Sequence, residues 1–302
     1  MKKTTNKEKK LLKSIKTAQD LEQKYLIMSD LDGTLLNNKG KLDKETIDVV
    51  KQICSKGNLF AIATGRPRRA SINFYKQLGL KTLMVNFNGS YITDPSNAKF
   101  MPINLGFNYH IAIQIFKNKL IHQWIQNVII ENIDGVFIYK KPKDPAQKKS
   151  LYSHFHIEKN DKFKYINKDW SNINSDIHSI LILMKDEKYI DEITYEIKRL
   201  SNTLIVRTWS IPSAGTIIEI NSIFSSKGMA LKYLSSYYGI PLENCFAFGD
   251  GDNDSEMLRT AHYGHAMKNG TMTAKLSARF MTENTNNEKG VALELKKFFK
   301  VC

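Results

Sequence analysis

Two aspartates, Asp30 and Asp32, stand two residues apart directly after a short apolar run, in the segment YLIMSDLDGT (25–34). A second acidic segment, GDGDND (249–254), follows another apolar run and holds three more aspartates. Either segment alone is compatible with a surface turn, because Asp, Asn and Gly suit the backbone geometry of turns. If the fold brings the two segments together, their carboxylates could form a reaction centre.

Several well-known sites do not fit the second acidic segment. It begins like a calcium loop, but Ser255 stands where that loop needs glycine and Ala261 where it needs glutamate. A dinucleotide-binding fingerprint fails because Asp254 occupies the position of its third glycine. The sequence also has no GxxxxGK[ST], GxSxG or HExxH motif, which disfavours P-loop nucleotide hydrolases, elbow-type serine hydrolases and zincins.

Two further loops carry groups that suit a phosphate. The run LFAIATGR (59–66) ends near Thr64 and Gly65, and the run TLMVNFNGS (82–90) ends at Asn88. Five aspartates near one spot would repel a phosphate dianion, whereas a hard divalent cation would join the two. Carboxylate oxygens suit Mg²⁺, which can bridge protein and phosphate during catalysis. The residues therefore predict magnesium-dependent phosphate chemistry.

The elements that carry these loops predict an α/β fold. The four apolar runs are typical of strands buried on both faces of a parallel sheet. Helical patterns lie between them, in LDKETIDVVKQICSKG (42–57) and SSKGMALKYLSSYYGIP (225–241). This alternation predicts a doubly wound, Rossmann-like parallel sheet. In such sheets the chemistry lies at the carboxyl ends of the strands, so loops far apart in sequence can meet there.

The stretch 90–221 differs and is predicted to be an inserted α+β cap. Amphipathic helices are expected in 111–126 and 189–200. Strands are expected in four apolar segments: 135–140, 178–184, 203–209 and 215–220. The predicted organisation has three parts, a basic N-terminal extension (1–21), a catalytic core (22–89 and 222–302) and the inserted cap (90–221).

The net charge and the cysteines limit which partners and which cellular compartment are expected. The formal net charge is +15, and it comes from dispersed lysines. Such lysines produce a positive field that attracts small anionic substrates. Nucleic acid is therefore not the expected partner. No run approaches the roughly 18 apolar residues of a membrane span, so no membrane partner is expected. Cys54, Cys245 and Cys302 are scattered, which fits a reducing, cytoplasmic setting. The oligomeric state stays open between monomer and dimer.

The order of the motifs resembles the haloacid dehalogenase superfamily. DLDGT, ATGR, a Lys-Gly pair before a helix and GDGDND follow one another in that order. More narrowly, the sequence resembles the Cof-type phosphatases, which carry a large cap between the second and third motifs. The likeness runs from about residue 22 to the end and includes NFNGS (86–90) and AMKNG (266–270). It implies Mg²⁺-dependent hydrolysis of a small phosphorylated metabolite, a sugar phosphate first of all, through an aspartyl-phosphate.

The resemblance implies roles for the acidic residues and one lysine. Asp30 is expected to be the nucleophile and a metal ligand, and Asp32 the general acid and base, with its backbone carbonyl also on the metal. Lys227 is expected to neutralise phosphate charge and to orient Asp30. Asp250 is the matching metal ligand, and Asp254 is expected to hold a metal-bound water, the metal or Lys227.

The resemblance also implies a set of groups that hold phosphate oxygens or substrate: Leu31, Thr64, Gly65, Arg66, Asn88 and Asn253. Leu31 and Gly65 are expected to act through their backbone amides, which bind phosphate well. Arg66 and Asn88 are expected to face the cap, with a purely structural role as the alternative. Two other functions stay open: a phosphotransferase or mutase similar to the phosphomannomutases, and a non-catalytic binding or regulatory protein.

Overall fold

The computed structural model describes residues 23–155, 157, 161–166, 169–170, 173–211 and 215–301. The predicted basic extension, 1–21, lies outside the described residues. Within them, no helix is both long and apolar enough to cross a membrane.

The strands are numbered in chain order. They are β1 (Leu26–Ser29), β2 (Leu59–Ile62), β3 (Met84–Asn86), β4 (Tyr91–Thr93), β5 (Ile103–Asn104), β6 (Ile125–Asn132), β7 (Gly135–Ile138), β8 (Phe163–Tyr165), β9 (Ser179–Met184), β10 (Leu204–Ile211), β11 (Gly215–Ser222), β12 (Cys245–Gly249), β13 (Tyr263–Ala266) and β14 (Phe280–Met281).

The α-helices are numbered in the same way. They are α1 (Lys44–Ser55), α2 (Ile72–Leu78), α3 (Tyr109–Lys117), α4 (Lys119–Trp124), α5 (Pro145–His154), α6 (Ile190–Leu200), α7 (Lys227–Tyr238), α8 (Ser255–Thr260), α9 (Met272–Ser277) and α10 (Gly290–Phe299).

A parallel sheet forms the first layer, with the strand order β14-β13-β12-β1-β2. Successive residues of β1 point to opposite faces, and both faces are buried. Ile27 packs in one apolar cluster with residues of α1 and α10, whereas Leu26 and Met28 pack in another with residues of α7 and α8. The predicted doubly wound sheet is confirmed, and β1 and β12 lie side by side at its centre.

A short antiparallel sheet, β3-β4-β5, continues this layer. A parallel bridge between Ala63 and Val85 joins it to β2, and Ile92 of β4 packs in the same apolar cluster as Leu26. Residues 91–104 therefore pack with the first layer, although the predicted cap begins at residue 90. The predicted boundaries at 89/90 and 221/222 stay predictions.

A second sheet has the order β10-β11-β9-β6-β7-β8 and is antiparallel except for the pair β7-β8. Helices α3, α4 and α6 cover one face through an apolar cluster that includes Ile115, Ile121 and Ile193. The four predicted strands and the helix over 189–200 are confirmed. The fold is thus a parallel α/β layer plus an inserted, mainly antiparallel module, which we call the inserted sheet.

The helix predicted over 111–126 is in fact two helices, α3 and α4, that are separated at Asn118. The side chain of Asn118 accepts hydrogen bonds from the backbone N–H of Leu120 at 3.0 Å and of Ile121 at 3.3 Å, which caps a new helix, α4. Strand β6 then begins at Ile125, where the helix was still expected. The apolar pattern continues across all three elements, so it did not reveal the breaks.

Candidate functional site

A buried lysine joins the two acidic segments. Asp30 follows β1, and its backbone N–H donates to the carbonyl of Phe248 in β12 at 3.0 Å. Lys227, the first residue of α7, has 0% of its side chain exposed. Its Nζ lies 2.8 Å from Asp30 Oδ1 and 2.6 Å from Asp254 Oδ1. The predicted encounter of residues from three separate segments is therefore present in the structure.

The turn after Asp30 brings its own loop against Asp250. Gly33 has a positive φ of 69°, and a Cβ built there would overlap the Asp250 carboxylate. The next residue, Thr34, donates its hydroxyl to Asp250 Oδ1 at 2.8 Å. Sequence reasoning missed Thr34, although it stands inside the DLDGT motif, because threonine after glycine in a turn is unremarkable on composition alone.

Three carboxylates form a cluster with the chemistry of a metal site. Oxygens of Asp30, Asp250 and Asp254 lie within 4.8 Å of one another. Asp254 is already well bonded, since Oδ1 accepts from Lys227 while Oδ2 accepts from the backbone N–H of Asp250 at 3.0 Å and of Gly251 at 2.9 Å. Hard oxygen donors in this number fit Mg²⁺. With three hydrogen bonds already accepted, Asp254 has less capacity for a cation than Asp30 and Asp250, and it holds Lys227 and its own loop.

The charges of this cluster shift its pKa values. Burial raises the pKa of Asp30 well above its ordinary value, and Asp254 and Asp250 add to the rise, while Lys227 opposes it. Burial, together with the charge of Asp254, raises the pKa of Asp250 to about 6. Burial would lower the pKa of Lys227, but Asp254 and Asp30 raise it above its ordinary value. The carboxylates thus outnumber the cation that faces them, which favours a further cation.

Asp32 lies at the rim of the site rather than in the cluster. Its side chain is 51% exposed, and Arg66 donates to both of its oxygens, with Nε at 2.6 Å from Oδ2. Arg66 also lies over the ring of Phe74 and donates to the carbonyl of Ala70. Such a two-pronged contact between guanidinium and carboxylate holds both groups in a defined orientation.

The other predicted contacts line the same opening. Thr64 is buried in the loop that follows β2, and its hydroxyl accepts from the backbone N–H of Arg66 at 3.1 Å. Asn88 has a positive φ of 56° and accepts from the Asn253 side-chain amide at 2.8 Å. The side chain of Leu31 packs in the apolar core, so only its backbone can serve the site.

A cavity of about 290 Å³ lies between the parallel sheet and the inserted sheet. The parallel layer contributes most of the predicted residues, among them Asp30, Asp32, Thr64, Gly65 and Asn253. The inserted sheet and the segments attached to it contribute six described residues to the cavity wall: Glu131, Phe155, Ser179, Leu181, Trp209 and Glu219.

Sequence reasoning missed the two acids of this wall. Glu131 stands in the otherwise apolar strand segment VIIEN, and Glu219 in TIIEIN. A lone acid inside a buried apolar strand is a signal, since burying a carboxylate without a partner is costly. The signal does not say which cavity the acid lines, because that depends on how the inserted sheet packs.

Comparison with known proteins gives one consistent family. Residues 27–295 match the sequence profile of the haloacid dehalogenase-like hydrolases. The chain is 32% identical over 283 residues to "5-amino-6-(5-phospho-D-ribitylamino)uracil phosphatase YitU" of Bacillus subtilis, a match that covers 92% of this chain and 98% of that protein.

Two solved structures share the fold. A haloacid dehalogenase-like hydrolase from B. subtilis superposes with a TM-score of 0.73 at 26% identity, covering 90% of this chain and 99% of that one. Another from Bacteroides thetaiotaomicron has a TM-score of 0.76 at 23% identity, covering 92% and 100%.

Proposed function

The chain belongs to the haloacid dehalogenase-like hydrolase family, and on that premise we propose that it is a Mg²⁺-dependent phosphatase of a small phosphorylated metabolite, in the first place a sugar phosphate. The observation that carries the proposal is the contact of the buried Lys227 with both Asp30 and Asp254, beside Asp250. Such an arrangement offers a nucleophilic carboxylate, a fixed positive charge and oxygen ligands within one small volume.

In the first step a carboxylate oxygen of Asp30 attacks phosphorus, and the bond from phosphorus to the alcohol oxygen breaks. Asp32 gives its proton to the departing oxygen, and an aspartyl-phosphate remains on Asp30. In the second step water attacks phosphorus, Asp32 takes its proton, and the bond to Asp30 breaks to release inorganic phosphate. Two displacements replace one difficult hydrolysis, which is the general benefit of covalent catalysis.

Asp32 has to change partners during this cycle. Its contact with Arg66 favours the carboxylate form, which suits the base of the second step. As the acid of the first step it has to carry a proton, so binding of the substrate has to loosen the Arg66 contact. The half-exposed position of Asp32 allows such a movement more readily than the buried position of Asp30 does.

Asp30, Asp250 and the backbone carbonyl of Asp32 are the proposed ligands of Mg²⁺, with Asp254 holding the loop and Lys227. When bound, Mg²⁺ supplies positive charge that offsets the phosphate oxygens and the clustered carboxylates. Its binding favours the ionised form of Asp30, whose pKa burial raises.

The phosphate is proposed to lie against Lys227, the Thr64 hydroxyl, the Asn253 amide and the backbone N–H groups of Leu31 and Gly65. Lys227 keeps its charge, since its two carboxylate partners raise its pKa. Donors that are already oriented in a mostly water-excluded site stabilise charge that develops during phosphoryl transfer.

The size of the cavity and one relative support the substrate class. A volume of about 290 Å³ suits a small molecule. The relative YitU is named for a phosphate carried on a ribityl chain. The free Cys54 and Cys245 support a reducing, cytoplasmic setting as part of the same proposal.

Phosphate release from a panel of sugar and sugar-alcohol phosphates, with Mg²⁺ or EDTA, tests the proposal. We expect turnover with Mg²⁺, loss of turnover with EDTA, and loss in Asp30→Asn. Asp48→Asn is the matched control, because Asp48 is exposed on α1, and it should retain full activity. Equal turnover by Asp30→Asn and the unchanged protein would overturn the assignment of the nucleophile.

A further inference from the structure

The cavity wall opposite the carboxylate cluster is itself acidic. Strand residues on one face of the inserted sheet point into the cavity, because side chains alternate along a strand and directly paired residues share a face. Glu131 pairs with Ser179, and Leu181 pairs with Glu219. These four cavity-lining residues form the surface that we call the acidic wall.

Glu219 presents its carboxylate to the cavity with ordered donors around it. Asn88 Nδ2 donates to Oε1 at 3.2 Å, and the Trp209 indole N–H donates to Oε2 at 3.2 Å. Burial raises the pKa of Glu219, and Arg207, which lies opposite it on β10, opposes this rise and favours the carboxylate. The guanidinium of Arg207 also donates to Asn221. Asn88 belongs to the parallel layer, so this carboxylate lies where the two sheets meet.

Glu131 is held by an arginine that a second acid shares. Arg69 lies 3.0 Å from Glu131 Oε2 and 2.7 Å from Asp161 Oδ2. Two carboxylates thus face the guanidinium of Arg69, so its charge is shared between Glu131 and Asp161. Burial raises the pKa of Glu131, while the charge of Arg69 opposes this rise and favours the carboxylate. The buried carboxylate is screened less than that of a surface acid.

The cations that serve the reaction site are already engaged by carboxylates. Lys227 is buried behind Asp30, and the proposed Mg²⁺ site is formed by Asp30 and Asp250. Among the described residues that line the cavity, Arg66 is the one with a cationic side chain, and it is engaged by Asp32. A phosphate dianion at the carboxylate cluster therefore meets Lys227 and the proposed Mg²⁺, whereas a second anionic group against the inserted sheet meets the carboxylates of Glu131 and Glu219.

We propose that the acidic wall selects substrates whose end remote from the phosphate carries no negative charge and is rich in hydrogen-bond donors, such as hydroxyl or ammonium groups, and disfavours substrates with a second anionic group there. The carboxylate oxygens accept from such donors, while a carboxylate or second phosphate is repelled and also loses its own hydration. This inference rests on the proposed phosphatase function. It adds that Glu219 and Glu131 determine the substrate specificity through their negative charge.

Sorbitol 6-phosphate and 6-phosphogluconate form a matched pair of probes. Both are open six-carbon chains with one phosphate, and they differ at the far end, which is a hydroxymethyl group in one and a carboxylate in the other. We expect the intact protein with Mg²⁺ to favour sorbitol 6-phosphate by at least about tenfold in kcat/KM. In Glu219→Gln, which keeps the shape and an acceptor oxygen, we expect this ratio to fall by about tenfold, chiefly through better use of 6-phosphogluconate.

Glu131→Gln should lower the ratio in the same direction, and urea midpoints report whether either variant is destabilised. The control is Glu192→Gln, an exposed position on α6, which should leave the ratio unchanged. A ratio near one in the unchanged protein, or an unchanged ratio in both cavity variants, overturns the inference.

Two further readouts separate this inference from the proposed function. Both compounds are also measured as competitive inhibitors of p-nitrophenyl phosphate hydrolysis, so their discrimination is read even if neither is turned over. If the protein hydrolyses p-nitrophenyl phosphate but does not discriminate between the two six-carbon compounds, the inference about the acidic wall is contradicted and the proposed function is not. Without any hydrolysis the proposed function fails, and calorimetric binding of the two compounds in the presence of Mg²⁺ then tests the wall directly.

Discussion

Removal of the buried lysine tests how the two acidic segments are held together. In Lys227→Met the side chain keeps a similar length and loses its charge, which leaves Asp30 and Asp254 facing each other. Each of these carboxylates lies within 2.8 Å of Lys227 Nζ. At an effective dielectric constant of about 20, each pair has a Coulomb energy of about 6 kcal/mol. The cost of burying the charges offsets much of this attraction.

We therefore expect Lys227→Met to lower the free energy of unfolding by about 3–5 kcal/mol at neutral pH, the usual cost of leaving a buried charge without its partner. The loss should depend on pH in a defined direction. Lys227 opposes the rise in the pKa of Asp30, so its removal raises that pKa further. A folded-state pKa above the unfolded value means that stability is lost as pH rises through it, so the deficit should be larger at about pH 8 than at about pH 5.

Urea unfolding followed by tryptophan fluorescence, in EDTA and at both pH values, measures this deficit. Lys232→Met on the same helix is the matched control, since Lys232 is exposed, and its urea midpoint should not change. We also expect Lys227→Met to lower kcat by at least about a hundredfold. A deficit below about 1 kcal/mol at both pH values would refute the reasoning, because buried pairs of this kind cost more when broken.

Three further outcomes follow from the same contacts. Gly33→Ala should lower kcat/KM by at least about a hundredfold, because the new methyl group overlaps Asp250. Gly40→Ala is the control and should leave kcat/KM unchanged, because Gly40 has a similar φ but nothing lies within 4 Å of its added Cβ. Thr34→Val removes the hydroxyl 2.8 Å from Asp250 and should weaken Mg²⁺ binding by about tenfold in calorimetry. The affinity for Mg²⁺ should fall by at least about tenfold per pH unit below about pH 6, because burial raises the pKa of Asp250 to about 6 and that of Asp30 above its ordinary value, and the metal needs both in the ionised form.

Each of these three predictions can be contradicted by a specific result. Equal losses in Gly33→Ala and Gly40→Ala would mean that backbone strain, and not the overlap with Asp250, causes the defect. Unchanged Mg²⁺ affinity in Thr34→Val would show that the hydroxyl does not orient a metal ligand. A Mg²⁺ affinity that is flat from about pH 8 to about pH 5 would remove Asp250 from the proposed metal site.

The parallel sheet could be predicted because its central strands are unbroken apolar runs. Every residue of β1 and β12 is buried, so neither strand shows the alternation of a half-exposed strand. Loops at the carboxyl ends of adjacent parallel strands have to be neighbours. For that reason the meeting of Asp30 and Asp250 was predictable without any knowledge of the packing.

The break between α3 and α4 could not be predicted from periodicity. The apolar spacing of residues 111–126 suits one helix, yet Asn118 caps a second helix and Ile125 begins a strand. Asparagine competes for backbone hydrogen bonds through its side chain, which favours helix ends over helix interiors. Whether a given asparagine ends a helix depends on its neighbours in space.

The composition of the cavity wall was the feature that the sequence predicted least well. Glu131 and Glu219 stand out as acids in apolar strands, but their position opposite Asp30 depends on how the inserted sheet packs over the loops. That packing involves contacts between distant residues, such as Arg69 with Glu131 and Asn88 with Glu219. The pairing of Arg66 with Asp32 likewise depends on side-chain direction, which loop sequences do not specify.

The most direct test of the central claim is to locate the phosphoryl group on the protein during turnover. The protein is mixed with Mg²⁺ and a substrate found in the sugar phosphate panel, quenched in acid within milliseconds, reduced with borohydride and digested for mass spectrometry. We predict that the trapped aspartate is Asp30, in the peptide that contains residues 28–38, and that Asp30→Asn shows no trapped residue. Turnover without a trapped aspartate, or a trapped residue at any other position, would contradict a covalent mechanism through Asp30.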